Sequence, residues 1–323
     1  MRKVGIIILF CVFILLCYFT FESARKVFRS DWHLLKVNQQ KANHRLVLIT
    51  QDMETPFWNK VANGALRQAE KNGVSLEVWG SYSNKEDFLK KMEIAIHSKV
   101  DGIIVQGLDT EEFKQITKIK ASSYGIPVIT VANDVPMSDS LRKTYIGSDQ
   151  YKAGQLIATQ LLADMGTTGE VVLMYDRQQE YYQIQRLNGI QDVLKQHPNV
   201  QTVFAETSDS REEIVATTQG ILNRVPEVDA FIAVDAEVAG AMIQELGKRF
   251  QVEPFYIFSF DDGTESLSLL KQGKLDGLIE QSPEKMGEKS VQLLMEWLNG
   301  ETVPLNSEGY FTDIHILKAT DMK

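Results

Sequence analysis

The chain has 323 residues, 44% of them hydrophobic and 24% charged, a balance that excludes a disordered chain and leaves enough apolar surface for two lobes with separate cores. The net charge of −9 is unevenly spread: residues 1–43 hold seven Lys and Arg against two acids, a balance of +5, which leaves −14 for residues 44–323. A region that acidic is a poor partner for phosphate backbones, so nucleic acid is excluded. The two cysteines, Cys11 and Cys17, both fall in the apolar N-terminal run, and the five histidines are scattered without an i, i+4 pair. A disulfide framework, a cysteine zinc site and a thiol nucleophile are thereby excluded from the rest of the chain, and neither a metal nor a cofactor is expected.

Residues 4–21, VGIIILFCVFILLCYFTF, carry no charge. At about 1.5 Å per residue a helix over this run reaches about 27 Å, enough to cross a hydrocarbon layer. Glu22-Ser23-Ala24 is a poor match to a cleavage site. Neither Cys11, after Leu9-Phe10, nor Cys17, after Leu15-Leu16, has the small residue before it that a lipidation signal wants. The reading is an uncleaved signal anchor over residues 1–21, with Met1-Arg2-Lys3 cytoplasmic, a polar basic connector over 22–43, and the remainder outside the cell.

From Arg45 onward, short apolar runs alternate with helix-spaced segments. The runs fall at 46–50, 76–79, 102–106, 128–131, 171–175, 200–205, 230–234, 255–259 and 277–280. Strands buried on both faces and joined by helical crossovers make a doubly wound parallel α/β sheet. Nine or ten strands exceed one small open sheet, and the polar stretch NDVPMSDSLRK at 133–143 marks a break. The prediction is two α/β lobes: 44–147 with a returning segment at about 282–307, and 148–281 with about 308–323. Ser83-Asn84, Asp149 and Ser282-Pro283 each announce a helix, over 85–97, 150–165 and 284–299.

In such sheets ligands bind beyond the carboxyl ends of the strands. Those ends carry Asp52 and Thr55-Pro56-Phe57-Trp58, then Gln106, then Asn133-Asp134; the second lobe adds Tyr181, Tyr182, Arg186, Asp209, Asp235, Asp261 and Gln281. Flat aromatic rings stack on the C–H faces of a sugar, while Arg, Asn and Asp bond its hydroxyls. The set suits a neutral polyol better than a phosphate. No nucleophile elbow, P-loop or dinucleotide loop is present, so catalysis is not expected.

The quoted residues also carry a resemblance. Pro56-Phe57-Trp58, Gly125-Ile126-Pro127-Val128-Ile129, Ile146-Gly147-Ser148-Asp149, Arg186-Leu187-Asn188-Gly189, Phe260-Asp261-Asp262-Gly263-Thr264 and Gly273-Lys274-Leu275 leading to Gln281 occur here in the order seen in type I periplasmic sugar-binding proteins. The region from residue 44 to the end resembles that family of ribose-, galactose- and xylose-binding proteins, which shares its fold with the effector domain of LacI-type repressors. The resemblance implies a hinged two-lobe fold in which Phe57 and Trp58 stack on a monosaccharide, Arg186, Asp261 and Gln281 bond its hydroxyls, and Asp235 takes a polar position. Two departures bear on the choice of sugar. Ala132-Asn133-Asp134 stands where the family often has Asp-Arg, and Ser208-Asp209-Ser210 stands where a second aromatic often closes the ring sandwich, a part that Tyr181 or Tyr182 then supplies. The chain further resembles membrane-anchored xylose-binding proteins of Gram-positive bacteria that signal through a two-component histidine kinase. This implies a xylose receptor beside a membrane-embedded kinase, the alternative being the binding component of an ABC sugar importer working with a permease.

Overall fold

β1 (Arg45–Thr50) sets the pattern for the computed structural model. Its Leu46 and Leu48 face one side of the sheet, Val47 and Ile49 the other, and all four are buried. A strand apolar on both faces requires helices on both, which the chain supplies. The structure describes residues 13–23, 44–51, 53–81, 84–208, 210–248, 255–260 and 263–321. Residues 1–12, the connector from 24 to 43, and Asp52, Ser83, Asp209, Asp261 and Asp262 lie outside the described residues.

The first lobe arranges β1, β2 (Ser75–Gly80), β3 (Gly102–Gln106), β4 (Val128–Val131), β5 (Tyr145–Gly147) and β11 (Tyr310–Phe311) in the order β11-β5-β4-β3-β1-β2, every pair parallel. The second arranges β6 (Gly169–Asp176), β7 (Val200–Thr207), β8 (Val228–Ala233), β9 (Tyr256–Phe260), β10 (Gly277–Glu280) and β12 (His315–Leu317) as β12-β10-β9-β8-β6-β7, parallel except for β12. Each sheet has a core on either face, and each fully buried Leu, Ile or Phe in these layers contributes about 1.5–3 kcal/mol.

The helices are α1 (13–23), α2 (Pro56–Asn72), α3 (Lys85–His97), α4 (Glu111–Gln115) running into a π-helical turn at Ile116–Ala121, α5 (Met137–Ser140), α6 (Gln150–Met165), α7 (Tyr181–Leu194), α8 (Arg211–Arg224), α9 (Ala236–Leu246), α10 (Thr264–Lys271) and α11 (Pro283–Leu298). Side-chain oxygens of Asn84 and Asp149 accept from the backbone N–H groups of Asp87 and Lys152, each at 2.9 Å, and so open α3 and α6.

Two glycine pairs bring helices into backbone contact. A Cβ on Gly287 of α11 would lie 1.9 Å from the Val61 carbonyl oxygen of α2, and one on Gly64 would lie 2.1 Å from the Glu284 carbonyl oxygen. In the second lobe Gly154 of α6 and Gly189 of α7 stand in the same relation, 2.1 Å from the carbonyl oxygen of Arg186 and 2.0 Å from that of Tyr151.

The chain crosses between lobes after β5, after β10 and after β11. Residues 310–311, which the sequence reading gives to the second lobe, pair with Ile146 and Gly147 in the first, so the third crossover comes at 312–314. β5, β11 and β12 escape a reading by apolar runs because they are only two or three residues long.

Residues 1–42 form a unit distinct from residues 43–323. Its α1 exposes Phe13, Ile14, Leu15, Leu16, Tyr18, Phe19 and Phe21. Among the described residues no helix is long and apolar enough to cross a membrane, and residues 4–12 of the predicted anchor lie outside them.

Candidate functional site

A cleft of about 560 Å³ lies between the carboxyl ends of the two sheets. Phe57, Trp58, Gln106 and Asn133 line it from the first lobe, Gln150, Tyr182, Arg186 and Asp235 from the second, and Gln281 from the crossover after β10. Of the strand-end residues read from the sequence, Thr55, Pro56, Phe57, Trp58, Gln106, Asn133, Tyr182, Arg186, Asp235 and Gln281 therefore meet in one place. Asp261 lies outside the described residues, and Asp134 points elsewhere.

On the first lobe, Thr55 caps α2 by accepting from the Trp58 N–H at 3.3 Å, which aims the first turn into the cleft. Phe57 and Trp58 meet edge to face with centroids 5.5 Å apart; Trp58 is buried against the core and Phe57 half-exposed. Phe57 is thus the better placed of the two to present a ring face to a ligand. Ala132 ends β4 in the left-handed region at φ 64°, an unfavourable conformation for a residue with a Cβ. It breaks the strand's alternation, and Asn133 faces the cleft while Asp134 turns back into the lobe. There Asp134 accepts from Thr130 Oγ1 at 2.7 Å and bidentately from Arg142 Nε and Nη2, both at 2.6 Å. Arg142 also donates to the Ser307 carbonyl oxygen at 2.7 Å, which ties the returning strand to the lobe. Burial pushes the Asp134 carboxyl up, and Arg142 opposes that shift. Asp134 is a structural clasp, a correction to its assignment as a ligand group. Tyr181 lines a neighbouring hollow with Asp134 and Arg142, which leaves Tyr182 as the tyrosine of the cleft.

The second lobe's wall is a closed network. The close approach of α6 and α7 brings Arg186 Nε to 2.8 Å from Gln150 Oε1, and Arg186 Nη1 donates to the Val234 carbonyl oxygen at 2.8 Å. The guanidinium lies over the rings of Tyr182 and Phe260, at 4.9 and 4.3 Å from their centroids, and is 2% exposed. The Tyr182 hydroxyl donates to Asp235 Oδ2, and Gln183 Nε2 lies 3.1 Å from both of those oxygens. Burial and the Asp235 carboxylate push the Tyr182 phenol well above its usual range, so it stays a neutral donor at physiological pH.

Between the lobes, Asn133 Nδ2 reaches Glu180 Oε2 at 3.4 Å. At the crossovers Ser148 Oγ donates to Gln281 Oε1 at 2.6 Å, and the Tyr145 hydroxyl bridges the carbonyl oxygens of Ala132 and Ser148 at 2.8 and 3.0 Å. The cleft also holds Lys60, Gln150, Thr264, Glu265 and Ser266, which the sequence reading did not select. Gln150 carried a signal: it is the first residue after the Asp149 cap, where a helix start meets the crossover. Among the described residues no three His, Cys, Asp or Glu side chains converge as a metal site.

Paired rings, carboxamides, a desolvated guanidinium and carboxylates, facing each other across a hinged cleft, define a binding protein for a small polar ligand. The chain belongs to the periplasmic binding protein family: the family described as "Periplasmic binding protein domain" matches residues 46–302. Its relatives include the ribose import binding protein RbsB of Bacillus subtilis, 20% identical over 274 residues that cover 84% of this chain and 88% of the relative. Among solved structures, GanP, a glucose-galactose binding protein from Geobacillus stearothermophilus, aligns with TM-score 0.79 and 27% identity over 86% of this chain and 98% of its own. XylFII in its complex with LytSN aligns with TM-score 0.73 and 26% identity over 86% and 98%. Members of this family bind ligands outside the cytoplasm without transforming them, and the protein is not an enzyme.

Proposed function

We propose that the chain is the membrane-anchored, extracytoplasmic receptor of a two-component sugar-sensing system. It binds a monosaccharide, with D-xylose the first candidate, between Phe57, Trp58 and Asn133 on one side and Tyr182, Arg186, Asp235, Asp261 and Gln281 on the other. Lobe closure about the three crossovers then gives a membrane histidine kinase a surface to read. The observation that carries this reading is the likeness to XylFII, a protein solved in complex with LytSN, across 86% of this chain. The uncharged run at residues 4–21 adds support, because a fixed anchor suits a receptor held beside a kinase.

A second reading, the binding component of an ABC sugar importer, is favoured by the names of the ribose import relatives. Deleting the gene in its host separates the two. The receptor reading expects sugar-induced transcription to be lost while uptake of labelled sugar persists; lost uptake with intact induction would establish the importer. The anchor has its own test. The chain should stay with membranes after an alkaline carbonate wash, and its release in a shortened form would mean cleavage.

A further inference from the structure

A carboxamide has an acceptor end and a donor end, and the scaffold behind it decides which one a ligand meets. Gln106 Oε1 accepts from the Gln51 backbone N–H and from Thr50 Oγ1, both at 2.9 Å. A backbone N–H has no lone pair to offer, so turning the Gln106 amide round would set two donors against each other. The same argument fixes Gln150, whose Oε1 accepts from Arg186 Nε at 2.8 Å, because a guanidinium cannot accept. Gln106 is 5% exposed and Gln150 8%, and both line the cleft. Both lone pairs of Gln106 Oε1 are thus taken and only its N–H groups are left to present, whereas Gln150 Oε1 keeps a second lone pair and its amide also meets the Tyr145 hydroxyl. Asp235, by contrast, accepts a hydrogen bond from the Tyr182 hydroxyl.

We propose that Gln106 makes a donor-only side of the cleft, which selects a ligand hydroxyl whose oxygen accepts there and whose proton is directed elsewhere. This rests on the monosaccharide reading and deepens it: the cleft recognises the direction of a hydroxyl proton as well as the place of its oxygen. A hydroxyl both accepts and donates, and a scaffold that fixes the polarity of an amide fixes which end of that hydroxyl meets it. An amino sugar with its ammonium group at this side would meet donors with donors and be rejected.

Fluorine tests this directly, since a C–F group accepts weakly and donates nothing, while a deoxy position does neither. The full chain in detergent is titrated calorimetrically with D-xylose, D-ribose, L-arabinose, D-galactose and D-glucose. The tightest binder is then compared with its deoxy and deoxyfluoro analogues, one position at a time. At one position or more the deoxy sugar should bind at least about tenfold more weakly than the parent, with the fluoro sugar recovering about fivefold of that loss. In Gln106→Glu, which keeps one oxygen for Thr50 and Gln51 and turns the other to the cleft, the parent should lose at least about tenfold and the fluoro advantage should vanish. The ligand-free melting temperature of that variant should stay near that of the wild type. A fluoro sugar no better than the deoxy sugar at every position, or a Gln106→Glu variant that binds the parent like the wild type, overturns the inference while leaving the sugar reading standing. No binding by any of the five sugars overturns both. The wild-type comparison reads the claim even if the variant fails to fold.

Discussion

The two lobes solve the same mechanical problem with the same device and then do different things with it. In each, a pair of glycines lets two helices touch along their backbones: Gly64 and Gly287 join α2 to α11, and Gly154 and Gly189 join α6 to α7. In the first lobe this seats α2, whose opening turn offers the rings of Phe57 and Trp58. In the second it brings Arg186 against Gln150, within a network that also holds Val234, Tyr182 and Phe260. One wall sets the rings of Phe57 and Trp58 beside the amides of Gln106 and Asn133; the other is a set of buried polar groups that orient one another. Stacking supplies affinity without much choice, whereas pre-oriented donors and acceptors supply choice, because a ligand that mismatches them leaves a desolvated polar group unpaired.

Removing the centre of the polar wall should have the largest effect. Arg186→Ala is expected to weaken sugar binding by about 2–4 kcal/mol, read by calorimetry, since it deletes a charge-assisted donor and strands the Gln150 and Val234 oxygens. The glycine pairs provide a matched comparison. Gly189→Ala and Gly287→Ala should each lower unfolding stability by about 1–3 kcal/mol in chemical denaturation, as overpacking does. Only Gly189→Ala should also reduce affinity by more than about tenfold, because it pushes α7 and Arg186 away from Gln150. Equal losses of affinity would erase the distinction between the walls. Phe57→Ala should cost about 1 kcal/mol of binding, and by a similar amount for every sugar that binds, as expected of a stacking face.

The smallest effect concerns pH. The Tyr182 phenol is raised in the folded protein, so its contribution to stability is complete below the ordinary phenol value of about 10 and is lost as pH rises from there toward the folded value. Melting temperature should therefore fall above about pH 10, and Tyr182→Phe should make that fall shallower.

What the sequence disclosed follows the same division. The sheets are legible because strands such as Gly102–Gln106 are buried on both faces and read as unbroken apolar runs. The aromatic lip is legible because Pro56-Phe57-Trp58 sits at the junction of a strand end and a capped helix start. Arg186 and Asp235 are legible as strand-end and family positions, but the groups that orient them are not. Gln150 and Gln183 act through contacts 36 and 52 residues away along the chain; the Asp149 cap marks Gln150 as a helix start, but nothing local marks the partner of either. Asp134 is misassigned because a place at a strand's carboxyl end does not say which way the side chain turns: Arg142, eight residues on, holds it within the lobe. The short strands β5, β11 and β12 owe their existence to pairing with strands already in place, which is tertiary information.

The measurement that tests the account most directly is a thermal melt of the full chain and of Arg186→Ala, each with and without saturating pentoses and hexoses. For the wild type, one sugar at about 100 times its dissociation constant should add about 2.7 kcal/mol of stability and raise the melting temperature by several degrees, with no such shift in the variant at the same concentration. A wild type that no sugar stabilises, or a variant stabilised to the same extent, would contradict the claim that this cleft is a monosaccharide site organised around Arg186.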